Sequence, residues 1–169
     1  RPDTTISAGN WSVTDANIPD TLNDQSDITL TNNTTQDEQF HVDLDDVPSA
    51  LEDVNFTGIQ FTVRARKGGK GSGTFEAFVL EDDNETIVVQ LEQDVTSASL
   101  TDHTSSNVSI NFDANTVNDL SFLLNTTDGT QVFISEVFVT LTHTDPITGN
   151  GTIIIPSGLI QLTSGKITF

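Results

Sequence analysis

The chain has 169 residues, of which 25 are acidic and only 6 are basic, so its formal net charge is −19. Such a surface repels phosphate backbones and anionic lipids, which excludes a general nucleic-acid or membrane-surface binder. Cysteine is absent, which excludes disulfides, thiolate metal sites and cysteine nucleophiles.

Most of the chain predicts short strands. One or two helical turns are expected at 48–54, after Asp45 and Asp46. Beyond that point apolar and polar residues alternate with the period of a half-buried strand. The inward-facing sets are Ile59/Phe61/Val63/Ala65, Phe75/Ala77/Val79, Ile87/Val89/Leu91, Val108/Ile110/Phe112, Leu120/Phe122/Leu124 and Val132/Ile134, continuing through Val137/Val139/Leu141. A break in the last alternation at Ser135–Glu136 predicts a β-bulge.

The connections between these strands are rich in turn-forming residues. Residues 68–73 predict a flexible hairpin loop, and 81–84 and 127–129 predict tight turns. Short strands at roughly 10-residue spacing without crossover helices are typical of an antiparallel β-sandwich or jelly roll. We therefore expect an all-β sandwich domain over residues 1–146, followed by an extended arm over residues 147–169.

The predicted arm differs from the domain in charge, since its only charged side chain is Lys166. Its apolar residues are Ile153, Ile154, Ile155, Leu159, Ile160, Leu162, Ile167 and Phe169. An uncharged strand-forming segment aggregates unless something covers it. The cover is either the chain's own sandwich or a neighbouring subunit. The charge contrast favours the neighbour, and with it a homo-oligomer, for which a trimer is the expected state.

Four of the six basic residues fall within seven positions: Arg64, Arg66, Lys67 and Lys70. Arg64 and Arg66 share the outward side of one predicted strand. They either pair with acids on neighbouring strands or form a docking patch for the acidic surface of another copy.

No pattern of residues predicts catalysis or a bound metal. The acidic runs at 43–46 and 81–84 offer oxygen ligands, but neither matches the twelve-residue calcium loop. No cofactor is therefore expected, with calcium as the one alternative. His41, His103 and His143 lack zinc-ligand spacing. With one Trp, no Tyr and ten Phe on mostly inward positions, a sugar-stacking surface is poorly supplied, and Trp11 is expected in the core.

Three segments carry a resemblance. They are Arg1-Pro2-Asp3 with Ala8-Gly9-Asn10-Trp11, then Phe61-Thr62-Val63-Arg64-Ala65-Arg66-Lys67-Gly68-Gly69, and Phe78-Val79-Leu80-Glu81. Together they resemble an "RP…GGW…VRYRARK-GG" pattern of small tailed-bacteriophage virion structural proteins. The resemblance covers roughly residues 1–144 and implies a jelly-roll domain of a phage particle without catalytic residues.

Two functions are compatible with these features. The first is a non-enzymatic structural protein on the surface of a virion, in capsid decoration or in the neck or tail. It would be assembled in the host cytoplasm and would bind other virion proteins. The alternative is a glycan-binding β-sandwich of a fibre or secreted adhesin, which requires an exposed aromatic side chain or a calcium-organised polar cleft.

Overall fold

A computed structural model of the chain describes residues 2–7, 11–13, 22, 31–33, 39–81, 85–129, 131–145, 149–155 and 161–164. Its strands are β1 (Pro2–Ser7), β2 (Trp11–Val13), β3 (Thr31–Asn33), β4 (Gln39–Leu44), β5 (Asn55–Lys67), β6 (Gly73–Leu80), β7 (Ile87–Val95), β8 (Thr101–Thr104), β9 (Val108–Phe112), β10 (Ser121–Gly129), β11 (Val132–Asp145), β12 (Gly149–Ile155) and β13 (Gln161–Ser164). A 3-10 turn (Ser49–Leu51) and a five-residue helix, α1 (Ala114–Asn118), accompany them.

These strands form two antiparallel sheets. The five-stranded sheet has the order β1-β4-β10-β6-β7. The eight-stranded sheet is built on β5 and β11: β8 and β9 pair along the other edge of β5, while β3 and β12 pair along the other edge of β11. The predicted antiparallel β-sandwich is therefore confirmed.

The core lies between the two sheets, where the alternating apolar residues meet. Phe61 and Val63 of β5, Phe75 of β6 and Phe122 of β10 are all fully buried. The rings of Phe61 and Phe122 contact each other edge-to-face across the sandwich, with their centroids 5.5 Å apart. Each such burial is worth about 1.5–3 kcal/mol, so these inward sets hold the two sheets together.

The bulge predicted in β11 is confirmed. Ile134 pairs with Ala65 and Glu136 pairs with Arg64, so Ser135 is the extra residue. Its hydroxyl donates to the carbonyl oxygen of Arg64 at 3.4 Å. Because the bulge inserts one residue, the core-facing residues are even-numbered up to Ile134 and odd-numbered from Val137 onward. Both halves of the strand therefore pack on the core.

A register shift in the β6–β7 pair overturns one core prediction. Val79 pairs with Val89, but Leu80 pairs with Ile87, which leaves Val88 as the unpaired residue. Ile87 is 50% exposed, so its predicted inward position is wrong. The alternation of the sequence could not reveal the shift, because it arises where the two strands meet.

Two predicted connections are also wrong. Residues 68–72 do not close a hairpin, since β5 belongs to the eight-stranded sheet and β6 to the five-stranded one. Residues 127–129 belong to β10 and do not form a separate turn.

The helical content differs from expectation as well. The stretch 48–54 contains only the 3-10 turn. Helix α1 was not predicted, and it begins after Asp113, whose carboxylate accepts a 2.8 Å hydrogen bond from the backbone N–H of Thr116. That geometry is the usual N-cap. In the described residues, no helix combines the length and apolar character needed to cross a membrane.

The segment expected as an arm continues the eight-stranded sheet within the described residues. Strand β12 pairs with β11 from Asp145↔Gly149 to Val139↔Ile155, and β13 pairs with β12. Ile153 stands opposite Leu141 and Ile154 opposite Thr140, while Leu162 stands opposite Ile153. Leu159, Ile160, Ile167 and Phe169 lie outside the described residues. Contact of this segment with a neighbouring copy stays a prediction.

Candidate functional site

The outward side of the five-stranded sheet carries a row of polar side chains. Gln39 pairs with Asn125, Asn125 with Glu76, and Glu76 with Glu92, so one residue from each of four strands stands in line. Because neighbouring strands lie about 4.8 Å apart, the row extends about 14 Å across the sheet. The result is a continuous line of amide and carboxylate oxygens.

The adjacent row has an apolar centre. His41 pairs with Leu123, Leu123 with Phe78, and Phe78 with Gln90. Phe78 and Leu123 are partly exposed, and Gln90 is exposed. A benzyl ring and an isobutyl group therefore lie beside the polar row on a sheet surface. We call the exposed and partly exposed residues of these two rows the open face: Gln39, Glu76, Phe78, Gln90, Glu92, Leu123 and Asn125.

The polar side chains of the open face are not tied to the rest of the protein. Within the described part of the chain, no hydrogen bond or ion pair engages the side chain of Gln39, Glu76, Gln90, Glu92 or Asn125. Water satisfies these exposed groups, and a ligand that offers hydroxyl donors can replace that water.

A buried histidine borders the open face. His41 Nε2 lies 2.8 Å from the hydroxyl oxygen of Ser121, and only 2% of Ser121 is exposed. Burial lowers the pKa of His41, and the nearby negative charge of Asp43 opposes that shift. Although Ser121, His41 and Asp43 lie near one another, a substrate carbonyl cannot reach the buried hydroxyl. The pair therefore supports the edge of the face and is no nucleophilic site.

The other histidines lie apart from the open face. His103 accepts or donates a 3.0 Å hydrogen bond with the Thr101 hydroxyl and contacts the ring of Phe75. Burial lowers its pKa, against the opposing charge of Asp102. His143 is buried against Phe56. The described residues contain no group of three or more histidines and acids that could hold a metal ion.

The first acidic run proposed as calcium ligands lies at the end of β4 and in the connection that follows. Asp43 is the penultimate residue of β4, and its carboxylate accepts a hydrogen bond from the backbone N–H of Leu44. Asp45 and Asp46 follow in the connection toward the 3-10 turn. Of the second run, Glu81 begins the β6–β7 connection, and residues 82–84 lie outside the described residues.

The basic cluster lies mostly on the opposite side of the molecule, on the outward surface of the eight-stranded sheet. A guanidinium N–H of Arg64 donates to the carboxylate of Asp102 at 3.2 Å, and Glu136 stands opposite Arg64 on β11. The guanidinium of Arg66 lies 4.3 Å from the ring centroid of Phe133. Both arginines therefore have partners within the chain. Lys67 ends β5, and Lys70 is exposed in the following loop.

We call this second surface the paired face, because neighbouring strands satisfy its side chains. The hydroxyls of Thr62 and Thr104 lie 2.9 Å apart. The surface comprises Thr62, Arg64, Arg66, Thr104, Phe133, Glu136 and Phe138. Whether it also docks another copy stays a prediction.

Sequence reasoning missed the aromatic residue of the open face. The predicted inward positions Phe75, Ala77 and Val79 are correct, since all three are fully buried. The same phase places Glu76 and Phe78 on the outward side, so the signal was available in the alternation. Trp11, in contrast, lies in the core as expected, with 8% of it exposed and its ring edge-to-face with Phe40.

Comparisons with known proteins identify similar folds only. No family model and no curated protein matches the chain. Among solved structures, the chain is similar to a CBM22-1–GH10 xylanase fragment of Clostridium thermocellum complexed with xylohexaose, with 12% identity and a TM-score of 0.39 over 80% of this chain and 27% of that one. It is also similar to the CBM32 of AlyQ in complex with 4,5-unsaturated mannuronic acid, with 12% identity and a TM-score of 0.40 over 80% and 96% of the two chains.

A third similar structure is an Arthrobacter globiformis isomalto-dextranase complexed with panose, with 12% identity and a TM-score of 0.36 over 79% of this chain and 21% of that one. This chain thus spans about a quarter of the length of the two enzyme chains. At these scores the likeness assigns neither a ligand nor a binding site to the protein.

Proposed function

We propose that the protein is a non-catalytic glycan-binding β-sandwich and that the open face is its binding surface. The observation that carries the proposal is the apolar pair Phe78 and Leu123 beside a row of unengaged amides and carboxylates. A pyranose ring presents C–H groups on its faces and hydroxyls around its rim. It therefore calls for an apolar platform flanked by hydrogen-bonding groups.

The dimensions of the row favour an extended ligand. Its four side chains lie across four strands, over about 14 Å, and each carries an oxygen that can accept from a sugar hydroxyl. Amide groups at Gln39, Gln90 and Asn125 add donors. An oligosaccharide that lies across the strands can engage several of these groups at once, whereas a single sugar reaches only part of the row.

The same geometry argues for binding without cleavage. A glycosidase holds two carboxyl groups on either side of the scissile bond, and desolvation raises the pKa of the one that acts as the acid. Glu76 and Glu92 project from one open sheet surface, and Glu92 is exposed. In the part of the chain that the structure describes, the two carboxyls stand side by side on one sheet surface and do not face each other across a cleft.

Substitution of Phe78 tests the proposal. Loss of a central aromatic anchor commonly costs a binding site about 1.4 kcal/mol or more, which is about tenfold or more in affinity. We expect the wild-type protein to bind oligosaccharides on a glycan array, and Phe78→Ala to weaken that binding at least about tenfold in calorimetry. Phe138→Ala is the matched control, because Phe138 is a partly exposed phenylalanine on the paired face.

The two variants distinguish loss of the binding surface from loss of the fold. Equal loss of binding in both variants would indicate a general structural defect, which melting curves of the two proteins would reveal. Absence of glycan binding by the wild-type protein, or full binding by Phe78→Ala, would refute the assignment of the open face.

A second candidate is the virion structural role implied by the sequence resemblance. The strand at one end of the eight-stranded sheet favours it: β13 carries no charged residue and, among the described strands, pairs with β12 alone. Uncharged edge strands readily accept a strand from another chain. Deletion of residues 147–169 should then reduce the number of subunits in the oligomer, as measured from its mass in solution. The full-length protein should also be present in purified particles. An unchanged number of subunits in the deletion variant, or absence of the full-length protein from purified particles, would exclude this role.

A further inference from the structure

Two acidic residues of the open face stand directly opposite each other. Glu76 of β6 pairs with Glu92 of β7 in the register of the five-stranded sheet. Side chains in such a pair lie about 5 Å apart at Cβ, and like charges there repel each other. Asp94 follows on the same side of β7, where its carboxylate accepts a 2.7 Å hydrogen bond from the Thr74 hydroxyl.

Among the described residues, no lysine or arginine balances these charges within the sheet. The five strands β1, β4, β6, β7 and β10 contain neither lysine nor arginine. Of the basic residues that the structure describes, Arg64, Arg66 and Lys67 lie on β5 of the opposite sheet, and Lys70 lies in the loop that follows. Because the whole chain carries a formal charge of −19, the long-range field at the open face is negative as well.

We propose that Glu76 and Glu92 are specificity-determining residues which make the site select uncharged glycans and reject uronate-bearing and sulfated ones. The inference rests on the proposed glycan-binding function. A carboxylate accepts hydrogen bonds from neutral sugar hydroxyls at full strength, so the pair does not oppose an uncharged ligand. An anionic group that replaces one of those hydroxyls has no donor to offer and meets two like charges.

The size of the discrimination follows from Coulomb's law. An anionic group of the ligand about 5 Å from one carboxylate, in water, would bind about fourfold more weakly than a neutral group. The two carboxylates together would weaken its binding on the order of tenfold. Since the open face is exposed to solvent, salt screens this repulsion. The preference for neutral glycans should therefore shrink as the ionic strength rises, whereas a preference that arises from shape would not.

The test compares polysaccharides that share a backbone and differ in charge. A panel of neutral polymers, each with its uronate or sulfated counterpart, is titrated against the wild-type protein and Glu76→Gln/Glu92→Gln at low and high salt. Glutamine keeps the size and the acceptor oxygen of glutamate. The control Glu52→Gln/Asp53→Asn removes the same two charges from exposed positions that follow the 3-10 turn, outside the open face.

We expect the wild-type protein and the control to favour neutral polymers by about tenfold at low salt, and Glu76→Gln/Glu92→Gln to lose most of that preference. Equal binding of charged and neutral forms by the wild-type protein would overturn the inference. So would a preference that survives in Glu76→Gln/Glu92→Gln. Absence of binding to every polymer would instead refute the glycan-binding function itself, and the inference with it.

Discussion

The two outward surfaces of the sandwich are built on the same strand alternation, yet they use their polar residues differently. On the paired face, Arg64 is bound to Asp102, Arg66 lies over Phe133, and Thr62 contacts Thr104. On the open face, the amides and carboxylates of the central row engage no other described residue. One surface contributes to the stability of the fold, whereas the other is available to a ligand.

The difference follows from which side chains the register brings together. Opposite charges meet across β5 and β8, where Arg64 stands opposite Asp102. Like charges meet across β6 and β7, where Glu76 stands opposite Glu92. Cross-strand pairs of the first kind stabilise a sheet and those of the second kind weaken it. The open face therefore retains an unfavourable pair, whereas the paired face is well matched. This contrast agrees with a ligand-binding role for the open face, as proposed above.

The largest effect should come from overpacking the paired face. A methyl group at Gly68 would clash with Cε2 of Phe133, and it would lie 2.9 Å from both Cδ2 of Phe133 and Cβ of Gln131, which is below normal contact distance. The guanidinium of Arg66 also packs over the ring of Phe133. We expect Gly68→Ala to lower the free energy of unfolding by about 1–3 kcal/mol, as measured by denaturant titration.

Gly58→Ala is the matched control, because its methyl group would approach the side-chain amide oxygen of Asn107 at 3.1 Å. That side chain can move away, so the loss of stability should be smaller. If Gly68→Ala were as stable as the wild-type protein, Phe133 would not be fixed in its position, and the two faces would differ less in rigidity than we infer.

An intermediate effect should appear in the pH dependence of stability. Burial lowers the pKa of His41 beside the open face and of His103 in the eight-stranded sheet below the ordinary value of 6.5. The unfolded chain therefore binds protons more readily than the folded one. The stabilisation is complete above pH 6.5 and is lost as the pH falls through that value toward the folded-state pKa.

Melting curves at successive pH values check this prediction. The melting temperature should decrease as the pH falls below about 6.5, and more gently in His41→Gln and in His103→Gln than in the wild-type protein. Because each variant lacks one of the two imidazoles, a gentler slope in that variant assigns the pH dependence to that histidine. An identical slope in all three proteins would show that neither histidine is buried as described.

Much of the fold could be predicted because it depends on local patterns. The alternation at 59–65, at 75–79 and at 120–124 is correct for nearly every buried side chain, and the bulge at Ser135 appears as a local break in that pattern. The hairpin loop predicted at residues 68–73 is wrong, because glycines indicate a bend but not which sheet the next strand joins. Val88 was missed because a register shift depends on the partner strand.

The open face was predictable in part. The phase of β6 alone places Glu76 and Phe78 on the outward side. The alignment of Gln39, Asn125, Glu76 and Glu92 depends on strand order, which brings together segments as distant as 39 and 125. No local pattern contains that information. The sequence interpretation placed the phenylalanines on mostly inward positions, which is correct for Phe75 and Phe122 but not for Phe78.

The smallest effect concerns the two charge pairs themselves. Arg64 and Asp102 form an exposed ion pair, with side chains 31% and 49% accessible, so Asp102→Asn should cost only about 0.2–1 kcal/mol. Glu92→Gln removes a repulsion, so it should leave stability unchanged or raise it by a few tenths of a kcal/mol. Denaturant titrations at low and high salt measure both, and salt should reduce the two effects together. If both substitutions destabilised the protein equally, Glu92 would have a stabilising partner, and the contrast between the open and paired faces would not hold.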